Sequence, residues 1–257
     1  MNIDLHTHAK LSKSVDFSLA YFQEMAQVAL QRGLDAIAVT EHFNTKNFSD
    51  VFNTLDEHYP YNGHYYEMEG LKVFPGMEVD IAEVGHILCI GELEQIRALR
   101  QALDNYVTKG QFIPFAKLLQ LTEHYPDMLV IGAHPFRKST PLIDLDPALL
   151  GQLDAFDLNG KDLYSRGIDQ NSSDLEVLSK QINKPVVAGS DTHHYMQYGV
   201  VFNAFHTPCE TVAQLKQQIA ELAFTIHIDD NLPHHVAEAV RLKAIAKEDM
   251  ILTQSGK

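Results

Sequence analysis

The sequence predicts an α/β fold in one domain over residues 1–257, with about seven strand–helix units. Short apolar runs typical of buried strands alternate with amphipathic stretches of helical spacing. This alternation implies parallel strands joined by right-handed crossovers. No linker rich in Pro, Gly or Ser divides the chain, so a single domain is the simplest interpretation. About seven such units suit a closed barrel better than an open sheet.

The first half of the chain is expected to begin with a strand over residues 3–5 and an amphipathic helix over 19–33. A continuous apolar run over 36–39 is typical of a buried parallel strand. The aromatic segment 44–70 is irregular and is expected to form a helix and a loop over a site. Two further strands and a mainly helical stretch, interrupted near Gly110 and Pro114, are predicted over 72–79, 85–90 and 92–125.

The second half continues the alternation of strands and helices. Asp146 precedes Pro147 and is placed to cap the helix that begins there. The predicted helices cover residues 147–153, 172–182, 210–222 and 233–247. The predicted strands cover residues 128–132, 155–158, 185–188, 200–205 and 224–228.

The composition limits the classes of partner. A formal net charge of −14 disfavours a protein that coats long nucleic acid or an anionic membrane, because both need a basic surface. It does not exclude a small anionic substrate, since a metal cluster reverses the local field. Cys89 and Cys209 are expected to be buried thiols, and no signal peptide or membrane-spanning run is recognised, so a cytoplasmic location is predicted. The sequence gives no indication of the oligomeric state.

Histidines and acids follow nearly every predicted strand. His6 and His8 stand at spacing i, i+2 after the first strand, so both imidazoles would point to one face. The other residues of this kind are Glu41, His42, Glu78, His134, Asp191 and His193, and His86 begins the apolar run over 85–90. The ends of barrel strands form the active-site face, and mixed nitrogen and oxygen ligands suit Zn, Mn or Fe. The pattern therefore predicts a metal site in which a carboxylate can bridge two ions.

These motifs resemble the polymerase and histidinol phosphatase (PHP) family over residues 3–193. The resemblance implies a distorted seven-stranded (β/α)7 barrel of the TIM type and a site of two or three metals that hydrolyses phosphoesters. The matching segments are Asp4-Leu5-His6-Thr7-His8, Thr40-Glu41-His42, Gly76-Met77-Glu78, His86, Gly132-Ala133-His134-Pro135 and Gly189-Ser190-Asp191-Thr192-His193.

The resemblance also implies how the ligands are divided among the metals. One metal would take His6, His8, Glu78 and Asp191, and a second would take the bridging Glu78 with His86 and His134. The third would take His42 and His193 with a ligand at the position of Ser14, and a serine hydroxyl is a poor ligand. Asp16, a water molecule or the charge of Lys13 are the candidate replacements, so the number of metals stays open.

The expected chemistry is attack of a metal-activated water on phosphorus, with no protein nucleophile. His42 or His193 would protonate the leaving alcohol if the third site is empty, or a metal-bound water would do so. Arg137 is a candidate phosphate clamp, with a surface salt bridge as the alternative. Glu41 would fix a histidine tautomer or be a solvated acid. Weaker candidates for contact with the anion are Lys10, Lys13, Lys161 and Arg166.

The predicted substrate is a small phosphorylated molecule, such as histidinol phosphate, a nucleotide monophosphate, a short nucleotide or a phosphotyrosine peptide. Two other functions stay open. An amidohydrolase also starts with two histidines on a barrel strand, but it usually has a bridging lysine where this chain has Glu78. A metal-binding or ligand-sensing module without turnover is the second alternative, although such modules tend to lose ligands.

Overall fold

The computed structural model describes residues 1–255, with side chains up to residue 246. The strands of this part of the chain are β1 (Asn2–Thr7), β2 (Ala36–Val39), β3 (Tyr66–Met68), β4 (Leu71–Ile81), β5 (Gly85–Ile90), β6 (Leu129–Gly132), β7 (Ala155–Asn159), β8 (Val186–Gly189), β9 (Val201–Phe205) and β10 (Phe224–Ile228). The helices are α1 (Leu19–Gln31), α2 (Ser49–His58), α3 (Leu93–Ala102), α4 (Phe115–Thr122), α5 (Pro147–Leu150), α6 (Gly160–Arg166), α7 (Ile168–Ile182), α8 (Val212–Ala220) and α9 (Leu232–Ser255).

The sheet curls until β8 lies beside β1. The strand order is β10-β9-β1-β2-β4-β5-β6-β7-β8, and β3 pairs with β4. The amide of Asp191, just after β8, donates to the carbonyl of His6 (2.8 Å), and the amide of His8 donates to Thr192 (2.9 Å). β1, β2 and β4–β8 thus form a nearly closed barrel, which confirms the predicted α/β barrel.

The prediction that all strands pair in parallel is wrong at β5. This strand runs antiparallel to both β4 and β6, because only residues 82–84 separate it from β4. Three residues form a hairpin but are too short for a parallel crossover. β9 also pairs antiparallel with β1, and β10 pairs antiparallel with β9. Both strands lie outside the barrel.

Two elements differ from the prediction for local reasons. α6 was not predicted, and it begins because the side chain of Asn159 accepts hydrogen bonds from the amides of Lys161 (3.0 Å) and Asp162 (3.4 Å). Segment 44–70 contains the expected helix, α2, and also the short strand β3 on the edge of β4. The cap of α5 by Asp146 is confirmed by a bond from the amide of Ala148 (2.9 Å).

Both faces of the sheet are buried, as the continuous apolar runs predict. In β2, Ala36 and Ala38 pack in one apolar cluster with α8, whereas Ile37 and Val39 pack in a second cluster with α1. Cys89 and Cys209 are free, buried thiols. Among the described residues, the helices include none that combines the length and the apolar character needed to cross a bilayer.

One buried side chain connects β1, β8 and β9 at the seam, which is the place where the barrel closes between β8 and β1. Asn203 of β9 donates to the carbonyls of Ile3 (3.2 Å) and Ala188 (2.8 Å), and its amide oxygen accepts from the amide of Ala188 (2.8 Å). It therefore satisfies backbone groups of β1 and β8 where the sheet would otherwise leave them unpaired.

We predict that Asn203→Leu, which keeps the branched shape of the side chain but removes these bonds, lowers the free energy of unfolding by about 3 kcal/mol or more. Urea denaturation followed by circular dichroism measures the change. Asn105→Leu, at an exposed position, is the control and should differ little from the wild type. Equal losses in both variants would contradict this role of Asn203.

Candidate metal centre

The structure brings the predicted histidines and acids together at one end of the barrel. They stand at or just after the ends of β1, β2, β4, β6 and β8, where parallel strands present their carboxyl termini. His86 is different because it lies near the start of β5. β5 is antiparallel to β4, so its start reaches the same end of the barrel, and His86 pairs in register with Asp80.

The carboxylate of Glu78 is the centre of this arrangement. It is buried on β4, and imidazole nitrogens approach both of its oxygens. Oε1 lies 2.5 Å from His86 Nδ1, 3.2 Å from His134 Nε2 and 3.7 Å from His6 Nε2. Oε2 lies 2.7 Å from His42 Nδ1 and 3.5 Å from His8 Nε2. One carboxylate therefore stands within reach of five imidazoles.

Three groups of potential ligand atoms can be distinguished, each with its atoms within 4.8 Å of one another. They are Glu78, His86 and His134; His6, His8 and Asp191; and His8, His42 and His193. The first two groups follow the division implied by the family, with Glu78 between them. The third contains His8 in addition to His42 and His193. Ser14 lines the adjacent cavity, where its hydroxyl lies 3.2 Å from that of Ser12.

These residues fit divalent metal ions. His6 Nε2 and His8 Nε2 are buried and form no hydrogen bond, and His42 Nδ1 and Glu78 Oε2 lie 2.7 Å apart in a geometry that is not that of a hydrogen bond. Burying polar atoms without partners costs free energy, so a cluster of such atoms indicates a binding site for a metal ion. Imidazole and carboxylate donors together match Zn, Mn or Fe.

Acidic side chains hold several of the imidazoles in place. His6 Nδ1 lies 2.8 Å from Asp157 Oδ2, and His86 Nε2 lies 3.0 Å from Asp80 Oδ1. Such partners fix the tautomer of a ligating histidine and direct its other nitrogen to the metal. Sequence analysis missed Asp157 and Asp80. The available signal for Asp157 was an acid inside the buried strand Ala155–Asn159.

The electrostatics keep two histidines neutral and Glu78 ionised. Burial lowers the pKa of His42 to about 4 and that of His134 to about 3, so each keeps a lone pair at neutral pH. Burial raises the pKa of Glu78, but the charge of His86 and a hydrogen bond from His134 outweigh it and hold this pKa well below its ordinary value. Burial lowers the pKa of His86, yet Glu78 raises it to about 9.

The backbone is unusual at two of these positions. His134 and Asp191 have positive φ angles of 32° and 55°. Non-glycine residues rarely adopt this region, and such strain concentrates at functional sites, where surrounding contacts hold it. At Asp191 one of these contacts is the hydrogen bond from its backbone amide to the carbonyl of His6. The closure of the barrel therefore also orients a candidate ligand.

Cationic side chains surround the entrance to the centre, which is a cavity of about 470 Å³. Arg137 Nη2 lies 2.9 Å from Asp191 Oδ2, and Lys161 Nζ lies 3.2 Å from Asp191 Oδ1. Arg137 Nε also bonds Asp162 at 2.9 Å. Arg137 therefore forms its ion pairs at the wall of the cavity, which it lines together with Lys13 and Lys161.

Lys10 lies elsewhere than predicted, and burial decides between the two alternatives for Glu41. Lys10 is buried, and its ammonium group donates to the carbonyl of Lys46, so it neither lines the cavity nor extends into solvent. Glu41 is also buried, which rules out the solvated alternative. It accepts from the amides of Lys10 (3.1 Å) and His42 (3.0 Å), and its Oε1 lies 3.7 Å from His8 Nδ1.

Comparisons with solved structures place this fold among known proteins. The crystal structure of PsfC from Pseudomonas syringae matches with a TM-score of 0.79 and 22% identity, over 95% of this chain and 98% of PsfC. The lesion-specific endonuclease EndoQ from Pyrococcus furiosus matches with a TM-score of 0.65 and 20% identity, over 88% of this chain. This chain spans 57% of that endonuclease. A further match is endonuclease Q with a 27-mer duplex substrate that carries an abasic lesion, at a TM-score of 0.63, 20% identity and coverage of 86% and 56%.

The sequence itself gives the family. No curated protein sequence matches this chain significantly. The model of the PHP domain family matches residues 4–182, which is most of the chain and includes six of the eight candidate ligands. The chain therefore belongs to the PHP domain family.

Proposed function

We propose that this protein is a metal-dependent phosphoesterase that hydrolyses a small phosphorylated molecule. The observation that carries the proposal is the set of buried, unpartnered imidazole and carboxylate atoms around Glu78, beneath a cavity with cationic walls. The buried set is suited to metal ions, and the cationic walls are suited to the phosphate. Neither an amidohydrolase nor a module without turnover requires this combination.

The metal ligands we propose are His6, His8, His42, Glu78, His86, His134, Asp191 and His193. Two or three ions of Zn, Mn or Fe held there would polarise the phosphate and lower the pKa of an attacking water. Arg137 and Lys161 neutralise Asp191 and present their remaining donors to phosphate oxygens. If the third metal site is empty, His42 and His193, which both line the cavity, are the candidate donors of a proton to the leaving alcohol; if it is filled, a metal-bound water takes this role.

A small substrate is supported by the size and charge of the protein. The cavity of about 470 Å³ matches a compact molecule, and the net charge of −14 opposes binding of a long polyanion. A protein of the same fold acts on duplex DNA, so the fold alone does not exclude nucleic acid. A cytoplasmic location is part of the proposal, because Cys89 and Cys209 are buried and free of a disulfide.

The proposal predicts that phosphate release depends on metal. Protein stripped with a chelator should be inactive, and reloading with Zn, Mn or Fe should restore hydrolysis of at least one compound among phosphomonoesters and phosphodiesters, including histidinol phosphate and nucleotide monophosphates. Inorganic phosphate is the readout for monoesters, and chromatography of the products is the readout for diesters. A duplex with an abasic lesion is tested in parallel. Absence of all hydrolysis would contradict the proposed activity, and cleavage of the duplex alone would contradict a small substrate.

We predict that Glu78→Gln removes most bound metal and lowers kcat/KM by at least about a hundredfold. The reason is that the change removes the charge shared by the ligand groups, and even indirect partners of ligands are worth about 10–100-fold. Metal content by mass spectrometry and initial rates measure the effect. Glu67→Gln, at an exposed position on β3, is the control. Two full equivalents of metal in Glu78→Gln would argue against a bridging role.

Asp157→Asn tests the partner of His6. The variant should bind metal about 10–100-fold more weakly, because His6 loses the carboxylate that orients its ring. Competition with a chromogenic chelator gives the affinity. Asp127→Asn, in the exposed turn before β6, should leave the affinity unchanged. The same affinity in both variants would refute this role of Asp157.

A further inference from the structure

A second groove lies beside the metal centre, between the β4–β5 hairpin and the loop that leads into α4. Its volume is about 710 Å³, larger than that of the cavity over the metal centre. Ile81 and Val84 of the hairpin line it, together with Val107 and Phe112 of the loop. The groove therefore offers an apolar surface next to a highly charged site.

Hydrogen bonds hold the two sides of the groove together. The amide of Ala82 donates to the carbonyl of Ile113 (2.9 Å), and the carboxylate of Glu83 accepts from the amide of Phe115 (2.9 Å) at the start of α4. Close packing behind the hairpin adds to this, since a Cβ on Gly85 would lie 2.2 Å from Leu142 Cδ2. The groove is thus formed before any ligand binds, as small-molecule sites usually are.

The groove is continuous with the metal centre through shared residues. Lys13 and His86 line both the groove and the metal-centre cavity. Thr140 also lines the groove, and its hydroxyl lies 3.3 Å from His134 Nδ1. A phosphoester with its phosphate at the metal centre would reach the groove with its alcohol portion.

The charges at the junction neutralise one another. Lys13 Nζ lies 3.0 Å from Asp80 Oδ2, and Asp80 Oδ1 lies 3.0 Å from His86 Nε2. Lys109, another lysine of the lining, is exposed to solvent. The surface offered beyond the junction therefore favours a neutral, apolar group over an ionic one.

Val84, at the edge of this groove, is unusual in its exposure and in its backbone conformation. Its side chain is 56% exposed, and its φ of +66° lies in the left-handed region. Among the described non-glycine residues with positive φ, it is the one with a β-branched side chain. Asparagine or glycine would fit the turn better, and local conflicts of this kind are expected where function requires the residue.

We infer that this groove binds the leaving group of the substrate, and that this leaving group is a neutral alcohol with an apolar body. The inference rests on the proposed function, because it places the phosphate of the same molecule at the metal centre. The substrate would then be a phosphomonoester with an apolar alkyl or aryl alcohol portion, and Ile81, Val84, Val107 and Phe112 would determine the specificity.

Binding of alkylphosphonates, which cannot be hydrolysed, tests the groove separately from catalysis. Isothermal titration of the metal-loaded protein with methyl-, butyl- and hexylphosphonate should show affinity rising by up to about fourfold for each methylene that the groove buries. The kcat/KM values of the corresponding alkyl phosphates should rise in the same order. Their leaving alcohols have closely similar acidity, so the trend reports on binding.

Val84→Asn should lower the hexyl-to-methyl affinity ratio by at least about fivefold, because a polar side chain replaces an apolar wall. Leu222→Asn is the matched control. Leu222 is also exposed (63%) and also has a positive φ (55°), but it lies outside both cavities. Asparagine tolerates this conformation, so both variants should fold, and their melting temperatures check this.

The outcomes separate the groove from the proposed activity. Equal affinity for all three phosphonates, or an unchanged ratio in Val84→Asn, would overturn the groove assignment. Binding that depends on chain length without hydrolysis of any alkyl phosphate would support the groove and reject the proposed phosphoesterase. Hydrolysis with affinities and kcat/KM values that do not depend on chain length would reject the groove assignment but support the proposed phosphoesterase.

Discussion

The carboxylate of Glu78, buried among five imidazoles, is the constraint on which the rest of the site depends. A buried charge is stable only when it is paired, and here the pairing comes from five side chains on or just after four different strands. The backbone of Glu78 is held as well, since its amide donates to Glu41 (3.0 Å) and its carbonyl accepts from Phe43 (2.9 Å). β4 lies between β2 and β5, so Glu78 stands where the histidines can reach it.

The hairpin between β4 and β5 connects the fold to the chemistry. An all-parallel barrel would place the start of β5 at the far end, away from the other candidate ligands. The antiparallel strand instead returns His86 beside Asp80 and within 2.5 Å of Glu78. The same hairpin, with Val84 at its tip, forms one side of the apolar groove. One departure from the repeating βα unit thus supplies a candidate metal ligand and a candidate specificity element.

The sequence was informative where the chemistry follows the period of the strands. His6, His8, Asp191 and His193 stand at spacing i, i+2 at strand ends, and parallel strands bring such residues to one edge. His86 was predicted to join the site although it begins an apolar run, but the reversal of β5 that brings it there depends on the length of a turn and was not predicted. Lys10 shows the limit of such reasoning, because nothing in the local sequence indicates that its ammonium group is buried against Lys46.

Contacts between distant segments explain what the sequence did not reveal. Asp157 meets His6 across 151 positions of the chain, and Arg137 meets Asp191 across 54. These pairs form because β7 and β8 lie next to the seam where the barrel closes on β1. No local pattern encodes which strands become neighbours at a seam. The ligands could therefore be predicted as a set, whereas the acids that orient them could not.

Anomalous X-ray diffraction from crystals grown with Mn or Zn tests the central claim most directly, namely that the atoms around Glu78 hold metal ions. The account predicts anomalous peaks about 2.0–2.3 Å from Glu78, His86 and His134 and from His6, His8 and Asp191, with a Glu78 oxygen between two of the peaks. Well-ordered crystals of the metal-soaked protein with no anomalous peak within bonding distance of Glu78 would contradict it.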